Sequence, residues 1–122
     1  MTNSIDELAD AKCIFVTGSN TTVAHPLIAT RIYRAKAKGA KLIVADPRRI
    51  PLAQLADIMV HQKLGTDVAL INGMANWILQ NGWQDQEYID ERCEGFDEFK
   101  AMVEKYTPEV ASQITGIAED DI

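Results

Sequence analysis

Apolar residues in this chain change their spacing near Leu64. Before that point, three unbroken apolar runs stand out: Cys13-Ile14-Phe15-Val16, Leu42-Ile43-Val44-Ala45 and Ile58-Met59-Val60. Short runs closed by punctuation such as Gly18 or Asp46-Pro47 predict buried strands of a parallel sheet. A polar loop follows the first run. Pro26 then suits a first helical position, Leu27, Ile28, Ile32 and Ala35 recur at helical spacing, and Gly39 stops the helix. A short helix around Leu52 to Ala56 joins the second run to the third, and Ser4-Ile5-Asp6-Glu7 is a capping box that opens another ending near Ala11. Strand, helix, strand, helix, strand predicts an α/β fold: three layers around a short parallel sheet in the order 3-2-1, with right-handed crossovers.

Beyond Leu64 the pattern is helical. Asp67 stands where an N-cap belongs, and Val68, Ile71, Met74, Ala75, Ile78 and Leu79 form one stripe closed by Gly82. Shorter helices are expected from Asp85 to Arg92, through Phe96, Phe99, Met102 and Val103, and after the cap Thr107-Pro108. Trp77, Trp83, Tyr88, Phe96 and Phe99 are the expected core of this half. The expectation is one domain, 1–122, made of a βαβαβ unit at 1–66 and a helical part at 67–122. Glu119-Asp120-Asp121-Ile122 looks like the start of a further helix, which makes the chain read as a segment of a longer protein.

Composition adds bounds. At 122 residues, 47% apolar and 25% charged, the chain can bury a core without staples. Its net charge of −6 argues against a partner held by bulk positive charge, such as nucleic acid or an anionic membrane. The halves differ, however. Residues 1–66 hold nine Lys/Arg against five Asp/Glu, whereas 67–122 hold three against thirteen, so an anion site belongs in the first half. Cys13 and Cys93, 80 residues apart, form no Cys-x-x-Cys pair and read as inert packing thiols of a reducing compartment. No apolar run is long enough for a membrane span, and no signal peptide is visible, so the expected location is cytoplasmic.

In an open parallel sheet, ligands bind beyond the carboxyl ends of the strands. Three polar loops are expected there. Gly18-Ser19-Asn20-Thr21-Thr22 suits a phosphate: Gly18 allows close backbone approach, Asn20 tolerates left-handed geometry, and the three hydroxyls can donate. The helix starting near Pro26 adds its positive end. Only one glycine of a Gly-x-Gly-x-x-Gly fingerprint is present, and a loop solvating its own backbone would look similar. In Asp46-Pro47-Arg48-Arg49, the carboxylate at the tip of the second strand suits ribose hydroxyls, and the guanidinium forks suit phosphate or a base. An Asp-Pro turn with surface arginines is the plainer reading. For Gly65-Thr66-Asp67, a glycine turn with Asp67 as helix N-cap is a full explanation without a ligand. His25 and His61 read as structural, and the acids from Asp85 to Asp97 as a solvated face. No catalytic constellation appears. The residues describe a nucleotide-type binding domain without a catalytic group.

Taken together and in order, these loops resemble the molybdopterin oxidoreductases, and within them formate dehydrogenase alpha subunits. The likeness is carried by Gly18 to Thr22, His25-Pro26, Ala40 to Val44, Asp46 to Arg49, Leu55-Ala56-Asp57 and Gly65 to Leu70. Glu94-Gly95-Phe96, Tyr106-Thr107-Pro108-Glu109 and Ile114-Thr115-Gly116 extend it through the tail. The resemblance implies a large enzyme that carries a bis(molybdopterin guanine dinucleotide) with molybdenum or tungsten, and an iron–sulfur cluster in the parent protein. This chain would be its Rossmann-like dinucleotide-binding region. Gly18, Ser19, Asn20, Thr21 and Thr22 would line the pyrophosphate and pterin end of one dinucleotide. Asp46, Pro47, Arg48 and Arg49 would meet the guanosine ribose and base, and Gly65, Thr66 and Asp67 would close over the guanine. The metal-ligating cysteine or selenocysteine and the cluster cysteines normally precede this region. Neither Cys13 nor Cys93 replaces them, so the chain alone is expected to be inactive, with the rest of the parent subunit and other oxidoreductase subunits as partners.

Two other functions fit the residues. One is a stand-alone NADP-binding domain whose Arg48 and Arg49 read a 2′-phosphate. The other is an interaction module whose acidic half docks a basic partner. Independently of function, strand order 3-2-1 leaves Cys13–Val16 as an apolar sheet edge, which favours self-association. A strictly monomeric sedimentation profile at high concentration would contradict this.

Overall fold

The middle apolar run becomes the central strand of a three-stranded parallel sheet, ordered β1-β2-β3. In this computed structural model, which describes residues 4–122, β1 spans Cys13–Thr17, β2 Lys41–Ala45 and β3 Ile58–Val60. The register runs from Cys13 opposite Lys41 to Thr17 opposite Ala45, and from Ile43 opposite Ile58 to Ala45 opposite Val60. The expected α/β class and strand order are therefore present. The chain divides into two compact units, Met1–His61 and Gln62–Ile122.

In the first unit, Ile14, Val16, Leu42 and Val44 pack with Ile32, Ala35, Ile50 and Leu52 in one core. Ile32 and Ala35 come from the crossover helix Pro26–Ala37, whose first residue is the expected proline. Burial in β1 alternates, with Cys13, Phe15 and Thr17 exposed. That corrects the reading of Cys13–Val16 as a strand buried throughout. The pleat sends alternate side chains to opposite faces, and the Phe15 face is open in this chain, as Ile58 at the same level across the sheet also shows. The expected polar loop also contains a short helix. We number it α1, Thr21–Ala24, and the crossover helix α2. Four residues without apolar periodicity left no pattern to find. The segments Ile5–Asp10 and Pro51–Leu55 form tight 3-10 turns where short helices were expected, and the Ser4 hydroxyl accepts from the Asp6 N–H at 3.3 Å.

The second unit contains α3 (Asp67–Gln80), α4 (Gln86–Arg92), α5 (Phe96–Val103) and α6 (Pro108–Thr115), then a short 3-10 turn at Glu119–Asp121. Thr107 caps α6 as expected, accepting from the Val110 N–H, and Asp85, expected as the first residue of α4, is instead its N-cap and accepts from the Tyr88 N–H. The buried face of α3 differs from the expected one. Ala69, Leu70, Asn72, Gly73 and Asn76 are buried, whereas Val68, Ile71 and Ile78 are exposed. The reason is steric. A Cβ built on Gly73 would lie 2.6 Å from the Ala111 Cβ of α6, so the small-residue stripe admits a helix backbone that the apolar stripe would hold away. On the same buried face, Asn76 ties α3 to α5 by donating to the Val103 carbonyl at 3.0 Å. The aromatics are likewise not a core: Trp77, Trp83, Tyr88 and Phe99 are exposed, and Phe96 is half-buried. Cys13 and Cys93 are exposed free thiols, which corrects their reading as packing residues.

Candidate functional site

Where β1 and β2 end, two of the three expected loops emerge side by side. The Gly18 N–H donates to the Ala45 carbonyl at 2.9 Å, and the Asp46 N–H to the Val60 carbonyl at 3.2 Å, so the ladder continues one residue past each strand. Gly18 has φ +58, and no atom lies within 4 Å of where a Cβ would stand. The left-handed turn requires glycine, and the space beside its backbone is open. The hydroxyls beyond it bond locally. Ser19 Oγ and Thr21 Oγ1 pair at 2.9 Å, Thr22 Oγ1 donates to Asn20 Oδ1 at 3.1 Å, and Thr21 is buried. Asn20, at φ −81, is not left-handed, and the helix that directly follows the loop is the four-residue α1 rather than α2.

Asp46 is completely buried, a rare place for a carboxylate. The Arg48 backbone N–H donates to its Oδ1 at 2.8 Å, Arg48 Nε to the same oxygen at 3.2 Å, and Nη2 reaches Oδ2 at 3.5 Å. Burial pushes the Asp46 carboxyl up, but the Arg48 hydrogen bonds, the Arg48 charge and the nearby His61 outweigh it and leave it below its ordinary value. The Arg48 guanidinium itself is largely exposed, so Asp46 holds it by one side and leaves the other to solvent. Arg49 has no ion-pair partner among the described residues. His61 Nδ1 lies 2.9 Å from the Asp46 carbonyl. A carbonyl can only accept, so Nδ1 carries a proton in this contact. That tie was not read from the sequence. The available signal was positional: His61 follows Val60, the residue paired with Ala45, and so falls beside Asp46.

The positive charge of the first half serves this edge less than its position along the chain suggests. Arg31 pairs with Asp6 at 2.9 Å and Lys38 with Asp10 at 2.6 Å. Lys36 and Lys41 reach Asp57 at 2.7 and 3.4 Å, and Asp57 also accepts from the Leu42 N–H at 2.7 Å. Asp57 immediately precedes β3, so this cluster lies at the amino ends of the strands, opposite the candidate site. Its Lys36 contact first, then the Leu42 N–H, hold the Asp57 carboxyl far below the ordinary range. A carboxyl lowered on folding stabilises above its unfolded value, near pH 4, and that stabilisation is lost as pH falls below it. Urea midpoints should therefore place Asp57→Asn below wild type at pH 7, with the gap narrowing progressively as pH falls below about 4. A constant gap would contradict this role.

Gly65-Thr66-Asp67 lies in the second unit. The Thr66 N–H and hydroxyl both donate to the Lys63 carbonyl, at 3.3 and 2.7 Å, closing a turn in which Gly65 has φ +79. The Lys63 N–H donates to the Thr115 carbonyl at 2.9 Å and anchors the turn on α6. Asp67 is the first residue of α3, not its N-cap. Instead, Asp67 Oδ1 accepts from Gln62 Nε2 at 2.9 Å. Gln62 is 2% exposed, and its Oε1 has no partner among the described residues. Leaving such an acceptor unpaired in the interior costs about 1–3 kcal/mol. Among the described residues no three His, Cys, Asp or Glu side chains are grouped to hold a metal, and no helix is long and apolar enough to cross a membrane.

A short open parallel sheet with helices between its strands defines the class as α/β. The comparisons narrow it further. The sequence pattern described as molybdopterin oxidoreductase matches residues 1–115, and the chain belongs to that family. It is 52% identical over 120 residues to the F420-dependent formate dehydrogenase subunit alpha of Methanocaldococcus jannaschii, covering 98% of this chain and 18% of that one. It is 39% identical over 122 residues to formate dehydrogenase H of Escherichia coli, covering 100% and 17%. Among solved structures, acetylene hydratase from Pelobacter acetylenicus superposes with a TM-score of 0.79 at 31% identity, over 96% of this chain and 18% of that one. The chain thus spans less than a fifth of the length of these relatives.

Proposed function

We propose that this chain binds the guanine dinucleotide part of a molybdopterin cofactor, as a segment of a formate dehydrogenase-like molybdenum or tungsten oxidoreductase. The reading is supported above all by the buried Asp46 that holds the exposed Arg48 fork beside the Gly18 turn, in a chain matched by this family over residues 1–115. The donor set fits a dinucleotide. Bare backbone at Gly18 suits close approach by a pyrophosphate or the pterin end, and Ser19 to Thr22 shape the turn around it. Arg48 and Arg49 offer forked donors to phosphate or to a base face, and the buried Asp46 orients the first of them. At the Gly65 turn, the exposed Asp67 carboxylate is a pure acceptor, complementary to the N1–H and 2-amino donors of guanine. When bound, the cofactor's metal would supply the redox chemistry. This chain's residues anchor and orient the nucleotide portion. The metal-ligating residue, the iron–sulfur cluster and the partner subunits belong to the parent enzyme.

Titration of the 15N-labelled chain with GDP tests this. Shifts at Gly18, at Asp46 to Arg49 and at Gly65 to Asp67 are expected, weakening as salt is raised. Shifts confined to residues 82–122, or tight NADPH binding with no response to GDP, would sink it.

A further inference from the structure

We infer that Gln62 is a positioning residue: its buried amide holds the Asp67 carboxylate in the one orientation that can accept from a guanine edge. This deepens the cofactor-binding reading and rests on it.

The geometry is one-sided. Gln62 is 2% exposed, its Nε2 donates to Asp67 Oδ1 at 2.9 Å, and its Oε1 is buried without a partner. An amide reversed about its axis would set Oε1 against the carboxylate, so the observed orientation is the only one with an attractive contact. A methionine or leucine would fill the same space without stranding a carbonyl, so packing gives no reason for a glutamine here. The amide has a reason only through Asp67. Asp67 itself is exposed, has no ion pair among the described residues, and does not cap α3. A free aspartate on a helix's first turn would sample several rotamers. Here Oδ1 is held, and Oδ2 remains for a second donor. The backbone beneath is equally constrained, by the Lys63–Thr66 turn and the Lys63 N–H bond to Thr115. Gln62 acts on ligand only through Asp67, since its own polar atoms do not reach solvent.

Three measurements on the 122-residue chain test this. The χ1 couplings of Asp67 in the free wild type should report one rotamer, and averaged couplings would overturn the proposal. Calorimetric GDP titrations should then show Gln62→Met weakening binding roughly three- to tenfold, the worth of one hydrogen bond. ADP, which lacks both guanine donors, should bind wild type and variant alike. The melting temperature should stay the same or rise, because the stranded carbonyl is gone. In a double-mutant cycle, Gln62→Met should add nothing to Asp67→Ala. Full GDP affinity in Gln62→Met, or a further loss in the double variant, would overturn the role of Gln62 while leaving the cofactor reading intact. Absence of GDP binding by wild type would overturn both.

Discussion

Asp46→Ala should lower the stability of the chain by about 2–3 kcal/mol in urea unfolding and abolish the GDP response of the Arg48 loop. The deletion removes the acceptor for three donor groups of Arg48 at once, and one of them, the backbone N–H, cannot turn away to find water. It also opens a hole in a fully buried position. Asp46→Asn separates the two consequences. The amide oxygen still accepts from the Arg48 N–H, so much of the stability should return. The charge that holds the guanidinium does not return, so GDP binding should stay weak. An unchanged urea midpoint in Asp46→Ala would mean that this network contributes nothing to the fold. Normal GDP binding in Asp46→Asn would mean that Arg48 needs no anchor.

Gly73→Ala should destabilise the chain by about 1–3 kcal/mol, against the gain of up to about 1 kcal/mol that alanine brings to a helix interior. The new methyl would meet the Ala111 Cβ at 2.6 Å and Ile122 Cγ2 at 3.2 Å. The isoleucine can move. The Ala111 Cβ is fixed to the backbone of α6, so α3 and α6 must separate, and the Asn76 hydrogen bond to the Val103 carbonyl on the same buried face is exposed to that shift. Chemical denaturation measures the loss, and a variant as stable as wild type would show that the two helices yield freely. Gly73→Val should cost more, since β-branching adds volume at the closest point and stiffens the side chain.

Much of the first unit was legible because its signals are local. Unbroken apolar runs with Gly18 and Asp46-Pro47 behind them produced all three strands to within a residue, and the alternating order of elements implied their parallel pairing. Pro26, Asp85 and Thr107 marked helix starts through backbone chemistry that needs no distant partner. Family membership was readable for the same reason. It rests on loop residues whose types and spacings are written in order along the chain, and the match over residues 1–115 agrees.

What the one-dimensional pattern misjudged was every property that depends on which surface meets which. Hydrophobicity selected the Val68–Ile71–Ile78 face of α3, yet the close approach of α6 selected the face with Gly73. Charge counted along the chain placed an anion site in the first half, yet Asp6, Asp10 and Asp57 pair with Arg31, Lys36, Lys38 and Lys41 away from the carboxyl edge, where Arg48 and Arg49 remain. Asp46 and Asp67 were visible as acids in suggestive places. That one is sealed beneath Arg48 and the other held by a buried amide follows from hydrogen-bond geometry across several residues. The sequence by itself determined the elements, their order and the family, because turns, caps and apolar runs act over a few residues. Only the tertiary structure decided the buried faces, the surviving charges and the aim of each carboxylate, because packing and electrostatics are settled between atoms that the chain brings together from a distance.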